Sequence, residues 1–331
     1  MLFKNDQAAR AQHNAVRTNI GWYKWTHDLV EVKGKDAAGF LDYLYVNAIA
    51  KAGIGRSKYT TMLNDAGQII DDVIVTHIGE DYYWISTLYA PQLIAWMDQK
   101  KDGRDVTYQD ITSEVDMYAV QGPNSRALIN SLAAAPVDGM KRFMMIDSVI
   151  DGIAVKVHKS GFTGEEGYEI YCAMSDSGSI RNAIVNAGKA LNAVELTILE
   201  VYVRSLPVEK GFALRQDLYG LSPYEADLDW SVDLSKNFAG KEAVLRVKEE
   251  GSQYKLVGIE YEAESYEDIA QRERVYYQGV DVGFVRAAIY GYTADKNIGF
   301  AVVESSKVPI GSKVTVGENR SPAKIVNRIW V

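Results

Sequence analysis

From about Tyr254 onward the helical period vanishes from this 331-residue chain, and that change constrains its fold more than any other feature. Residues 256–261, 274–277, 280–288, 298–303 and 313–316 read as short strands separated by Gly or Pro. Such a succession predicts a small antiparallel β-barrel or a sandwich. The charged run Lys248-Glu249-Glu250-Gly251-Ser252 precedes it, so a boundary falls near residue 250. A chain of this length exceeds what one hydrophobic core usually serves, which agrees with more than one unit.

Upstream the pattern mixes helix and strand. Residues 30–34 alternate like a strand, and Asp36 is placed to cap a helix whose apolar face includes Phe40, Leu41 and Leu44. The turn Asn64-Asp65-Ala66-Gly67 leads into a strand over 69–78, and another follows over 81–88. Pro91 opens a helix through Trp96, where its missing N–H costs nothing. This β-α-β-β-α order suits a sheet with helices packed on one face. It recurs with a strand and turn over 118–123, a helix over 124–134, a hairpin around Gly161–Gly167 and a helix near 179–191. The expected organisation is α+β, with two interleaved subdomains in residues 1–250 and a β domain in 251–331.

Composition narrows the function. Apolar residues make up 47% and charged residues 24%, as in a folded globular protein. A net charge of −8 argues against nucleic acid or an anionic membrane as partner. The single cysteine, Cys172, excludes an intrachain disulfide and a Cys-based metal cluster. The four histidines are scattered and predict no metal site. With no signal peptide at the start and no run near the ~20 apolar residues of a membrane span, the expected setting is cytoplasmic.

The densest motif is Lys159-Ser160-Gly161-Phe162-Thr163-Gly164-Glu165-Glu166-Gly167-Tyr168-Glu169-Ile170-Tyr171. Its three glycines make a turn that lets backbone approach a ligand closely. The strand that follows fixes the Glu169 carboxylate beside that turn. A plain hairpin between residues 153–158 and 168–173 accounts for the same composition.

This string resembles the "GYTGEDGFEI" signature of the glycine cleavage T-protein (aminomethyltransferase) family, which transfers one-carbon groups to tetrahydrofolate. Five more motifs follow in the family's order. Gly34 to Leu41 is similar to "GPDAAAFL", and Tyr59 to Asp72 to "YTPMLNERGGVIDD". Gln121-Gly122-Pro123-Asn124-Ser125 is similar to "QGPKS", Pro223 to Trp230 to "TPLEAGLGW", and Phe238 to Ala243 to "FIGREAL". The resemblance implies a three-domain cloverleaf around a central channel, with two α+β domains and a C-terminal antiparallel β-barrel. It implies tetrahydrofolate as cofactor, with Glu169 hydrogen-bonded to pterin N–H groups, since charge-assisted bidentate pairs are strong. Phe162 would stack on the pterin, and Met62 of the "YTPMLN"-like string would join the cofactor site. Tyr171 shares the Glu169 face of its strand, where it lines the pocket or packs in the core. Arg204 is the candidate for a folate contact, or else pairs with a neighbouring carboxylate.

Three departures shape the functional expectation. Anchored on Trp96, Leu93 stands where the family's catalytic aspartate belongs, and leucine cannot move a proton. Pro207 replaces one arginine of "RDxLRLExG", and Arg204 is displaced by one position from the other. The entry segment has become Trp22-Tyr23-Lys24-Trp25-Thr26-His27, which reads as a packed N-terminal arm or as an aromatic wall. On the second reading Trp22, Tyr23 and Trp25 bind substrate, and His27 is a general acid. The expected function is then a tetrahydrofolate-dependent demethylase acting on a small-molecule methyl donor, a methoxyaromatic or a methylated sulfonium or amine. The alternatives are the aminomethyltransferase itself, partnered by a lipoyl carrier protein, and a non-enzymatic folate-binding protein.

Overall fold

The structure is a computed structural model that describes residues 4–25, 27–262 and 272–331. Two sheets make up the part before residue 250. The first has the order β3-β4-β5-β2-β6, built from β2 (Asp28–Lys33), β3 (Ser57–Leu63), β4 (Ile69–Gly79), β5 (Tyr82–Thr87) and β6 (Thr107–Asp110). The second has the order β11-β1-β7-β10-β9-β8, from β1 (Gly21–Trp25), β7 (Val115–Gln121), β8 (Met145–Ile150), β9 (Ile153–His158), β10 (Gly167–Ala173) and β11 (Val194–Glu195). Neighbouring strands are antiparallel except β1 and β11. The chain leaves the second sheet after β1 and enters the first with β2, so the two units are interleaved.

Period-2 alternation gives each sheet two apolar faces, and helices cover one of them. In the first sheet, Val73, Val75 and Ile85 pack against Phe40 and Leu41 of α2 (Ala37–Leu44) and Leu93 and Trp96 of α3 (Ala90–Lys100). In the second, Tyr168, Ile170 and Cys172 pack against α4 (Ser125–Leu132) and α5 (Ser177–Ala190). The uncovered faces share a further cluster that joins Leu29 and Trp84 of one sheet to Met117, Ala119 and Tyr171 of the other.

The C-terminal strands close into a barrel of order β12-β15-β14-β13-β16-β17. They are β12 (Tyr254–Tyr261), β13 (Arg274–Tyr277), β14 (Val280–Gly291), β15 (Lys296–Glu304), β16 (Lys313–Val316) and β17 (Ser321–Val326). Closure decides between barrel and sandwich. The strand that closes it, β17, escapes sequence reading because Pro322 lies inside it, and proline demotes a run from strand status. Asp36 does precede α2, but its side chain accepts from Asp105 N–H at 2.8 Å instead of capping the helix.

One buried carboxylate joins the units. Glu209 ends the short helix α6 (Leu206–Glu209), which is followed by the short α7 (Arg215–Leu218) and by α8 (Lys241–Glu250). Its Oε2 accepts from Arg17 at 2.9 Å and lies 3.2 Å from His13 Nε2, both on α1 (Gln7–Thr18). Its Oε1 accepts from the backbone N–H groups of Thr293 (2.8 Å) and Ala294 (3.2 Å) in the β14–β15 turn. Arg17 also donates to the carbonyl of Thr163 at 2.7 Å, so the same node holds the glycine-rich turn.

Candidate functional site

The glycine-rich turn wraps around a side chain of its own protein. A Cβ on Gly161 would lie 1.9 Å from Gln121 Oε1, and one on Gly167 would lie 2.3 Å from its Nε2. Gln121, in the "QGP" string, donates to the Ser160 carbonyl at 3.1 Å and accepts from Thr163 Oγ1 at 2.9 Å. These glycines were expected to let backbone approach a ligand. The structure gives their space to Gln121, and that of Gly164 (φ +78°) to the Lys210 stem. The turn is thereby a rigid support for the strand behind it.

That strand, β10, turns Glu169 and Tyr171 toward the first sheet. The Glu169 side chain is 11% exposed. Register places His158 of β9 opposite Glu169, and its Nδ1 lies 3.1 Å from Oε2. The carboxylate can only accept, so Nδ1–H donates and Nε2 is left to accept from Ser57 Oγ at 2.9 Å. Ser57 in turn lies 2.9 Å from Thr76 Oγ1, so the line runs from β10 through β9 into β3 and β4. Tyr171 Oη donates to the same Oε2 at 3.1 Å, and His27 Nε2 approaches Tyr171 Oη at 3.2 Å. Among the described residues Oε1 takes no hydrogen bond.

Electrostatics follow from this geometry. Burial alone would push the Glu169 carboxyl up, but the hydrogen bonds from His158 and Tyr171 hold it below its ordinary value. Glu169 is therefore an anion at neutral pH. Burial and the Glu169 charge push Tyr171 well above the usual phenol range, so it stays a neutral donor. Burial pulls His27 below the usual imidazole value despite the Glu169 charge. A neutral His27 whose N–H faces Tyr171 is poorly placed to serve as an acid.

The aromatic segment is neither an arm nor one wall. Residues 21–25 form β1, inside the second sheet between β11 and β7. Strand alternation then splits its aromatics onto opposite faces. Trp22, 3% exposed, packs against Tyr118 in the helix-covered core, which corrects its expected place in a substrate site. Tyr23 and Trp25 turn the other way, with Tyr202 stacked on Tyr23 at 5.2 Å and tilted against Trp25 at 5.6 Å. Phe162 lies at the edge of the same cluster, 5.9 Å from Phe212.

Three other expected residues lie elsewhere. Met62 is 3% exposed and packs in the helix-covered core of the first sheet, so its side chain is not brought to Glu169. Parity decides this, because Met62 and Thr60 share the core face of β3. Leu93 is fully buried in that core too. Arg204 sits in a π-helical turn, Val201–Ser205, and donates to Asp217 Oδ2 at 2.7 Å, the pairing with a neighbouring carboxylate.

Sequence reasoning missed His158, Ser57 and Tyr202. His158 stands eleven residues before Glu169, at the far end of the hairpin. Only the register across the long glycine-rich loop sets it opposite the carboxylate. Ser57 and Tyr202 carry no local signal, because their partners belong to the other sheet and to β1.

The chain matches the family described as GCVT N-terminal domain over residues 3–236 and the glycine cleavage T-protein C-terminal barrel domain over residues 255–331. It is 32% identical over 329 residues to the aminomethyltransferase of Listeria welshimeri, covering 96% of this chain and 88% of that protein. It is 31% identical over 319 residues to the aminomethyltransferase of Bacillus subtilis, covering 93% and 86%. The crystal structure of glycine cleavage system aminomethyltransferase T from Bartonella henselae shares the fold, with a TM-score of 0.86 at 21% identity over 98% of this chain and 89% of that one. These relatives overturn the expected demethylase, which rested on Leu93 and on the aromatic segment read as a substrate wall. The general-acid role expected of His27 rested on that reading. By both halves of its length, the chain belongs to the glycine cleavage T-protein family.

Proposed function

We propose that the chain is an aminomethyltransferase, passing a one-carbon unit from an aminomethyl donor on a lipoyl carrier protein to tetrahydrofolate. The observation that carries this reading is near full-length similarity to curated aminomethyltransferases. The site agrees with it. Glu169 holds Oε2 against His158 and Tyr171 and keeps Oε1 open for the N–H groups of a pterin. One oxygen rather than two is on offer, so Glu169 anchors the ring through one edge of its carboxylate. A contact of this kind contributes about 1.5–3 kcal/mol. Tyr171 and His158 fix the carboxylate orientation in advance, which removes ordering cost at binding. Tyr23, Trp25, Tyr202 and Phe162 supply an apolar aromatic flank for a flat ring. When bound, tetrahydrofolate supplies the nitrogens that accept the carbon.

The test is incubation with tetrahydrofolate and an aminomethylated lipoyl carrier protein, reading ammonia and 5,10-methylenetetrahydrofolate. Both should appear in equal amounts. A protein that binds tetrahydrofolate yet forms neither product from a donor shown to be competent would refute the reading.

A further inference from the structure

The uncovered face of the first sheet carries a second constellation, next to the Glu169 line. On β3 and β4 it presents Tyr59, Thr61 and Asp72, with Thr61 and Asp72 as cross-strand partners. Ile74 follows Asp72 on the same face, and its partner on β5 is Ser86. Ser86 faces Tyr171, the donor to Glu169, closely enough to favour its ionised form. Asp72 is thus two residues, about 7 Å of strand, from the row that reaches Glu169. Its Oδ2 accepts from Tyr59 Oη at 3.1 Å. Asp72 is half-buried, with protein close around its carboxyl.

Several polar atoms around this carboxyl are left over. Thr61 Oγ1, Asp217 Oδ1 and Arg204 Nη2 are buried without a hydrogen-bond partner among the described residues. Thr61 lies directly across from Asp72, Asp217 acts on its charge, and Arg204 is bonded to Asp217 through its other nitrogen. Buried polar atoms are nearly always paired, so an orphan across from this carboxyl, with two more on the Arg204–Asp217 pair that acts on it, marks a place shaped for a polar guest.

We propose that Asp72 is the acid–base carboxyl of the one-carbon transfer, in a molecule where Leu93 is sealed in the core and can supply none. The assignment rests on the aminomethyl reading above. Asp72 takes the proton released as the first acceptor nitrogen bonds to the one-carbon unit. It returns that proton to the lipoyl sulfur as the carbon–sulfur bond breaks and its electron pair goes to sulfur. Ammonia leaves with the pair of the carbon–nitrogen bond and takes up the proton that the second acceptor nitrogen loses as it closes on carbon.

The groups facing Asp72 suit it to this work. Tyr59 reaches it from β3, Asp71 flanks it on β4, and Asp217 approaches from α7 with Arg204 bound to it. Arg215 stands 3.9 Å from Asp71. Burial, with Asp71 and Asp217, pushes the Asp72 carboxyl up to about 7, while the Tyr59 hydroxyl pulls it down. A carboxyl near that value both accepts and gives a proton at neutral pH.

The experiment combines proton-linked binding with turnover. Titration calorimetry of tetrahydrofolate binding near pH 7, in buffers of different ionisation enthalpy, reports protons exchanged on binding. Wild type should exchange protons and Asp72→Asn should not, with affinity changed less than about threefold. Turnover with the aminomethylated carrier should fall about 10²–10⁴-fold in Asp72→Asn. Tyr59→Phe should move the rising limb of the pH–rate profile to higher pH, and this arm stands if the Asn variant fails to fold. Proton exchange retained in a folded Asp72→Asn, or a limb unmoved in Tyr59→Phe, overturns the proposal. A wild type that shows the exchange but releases no ammonia overturns the aminomethyl reading alone. Native turnover in Asp72→Asn overturns the assignment of Asp72 alone.

Discussion

Glu209→Gln should remove about 3 kcal/mol of stability at neutral pH. Burial alone would push the Glu209 carboxyl up, but the His13 hydrogen bond and charge and the Arg17 guanidinium bring it from 4.5 down to about 2. At 1.36 kcal/mol per unit, that depression is worth about 3 kcal/mol of folding free energy. Geometry gives a similar figure. Oε1 receives two backbone donors and Oε2 the Arg17 guanidinium, so an amide nitrogen in either place sets donor against donor. Arg17 keeps its second carboxylate partner, Glu165 at 3.0 Å, so the loss stays at the lower end of the about 3–5 kcal/mol typical of breaking a buried pair. The carboxyl is depressed in the folded state, so its contribution is complete above pH 4.5 and disappears as pH falls toward 2. The assay is urea unfolding followed by tryptophan fluorescence from pH 7 to pH 3. With a slope of about 3 kcal/mol/M, the midpoint of the variant should fall by about 1 M at pH 7. The gap to wild type should narrow below pH 4.5. A midpoint difference below about 0.2 M, or one that stays constant down to pH 3, would refute the node as described.

Three further outcomes follow from the site. Glu169→Gln should fold normally and bind tetrahydrofolate about ten- to hundredfold more weakly, measured by calorimetry, and native affinity would remove Glu169 from the site. Gly161→Ala should lose folate binding because its methyl meets Gln121 Oε1. Adding Gln121→Ala should restore part of that binding, and a double variant no better than the single one would show that the clash is not the cause. Trp22→Ala should cost about 3–5 kcal/mol of stability by opening a cavity, with folate affinity and donor KM unchanged in the folded protein. A severalfold rise in donor KM at native stability would return Trp22 to the site.

Local patterns in the chain determined its elements and its kinship. Alternation and punctuation marked the C-terminal strands, and the hairpin motif placed Glu169 and Tyr171 on one strand face, because parity along a strand is a property of the chain itself. Six ordered motifs carried the family. Tertiary structure decided what those residues touch. Gln121 fills the space of the glycines at a sequence separation of about forty residues. Register across the long loop sets His158 against Glu169, and a second sheet brings up Ser57 and Thr76. Strand pairing turns Trp22 and Met62 into their cores, and the same alternation leaves Asp72 on the uncovered face. Periodicity reports which residues share a face. Which partner that face meets depends on strand register and sheet-to-sheet contact, set by chain segments a hundred residues away, and no local window contains them.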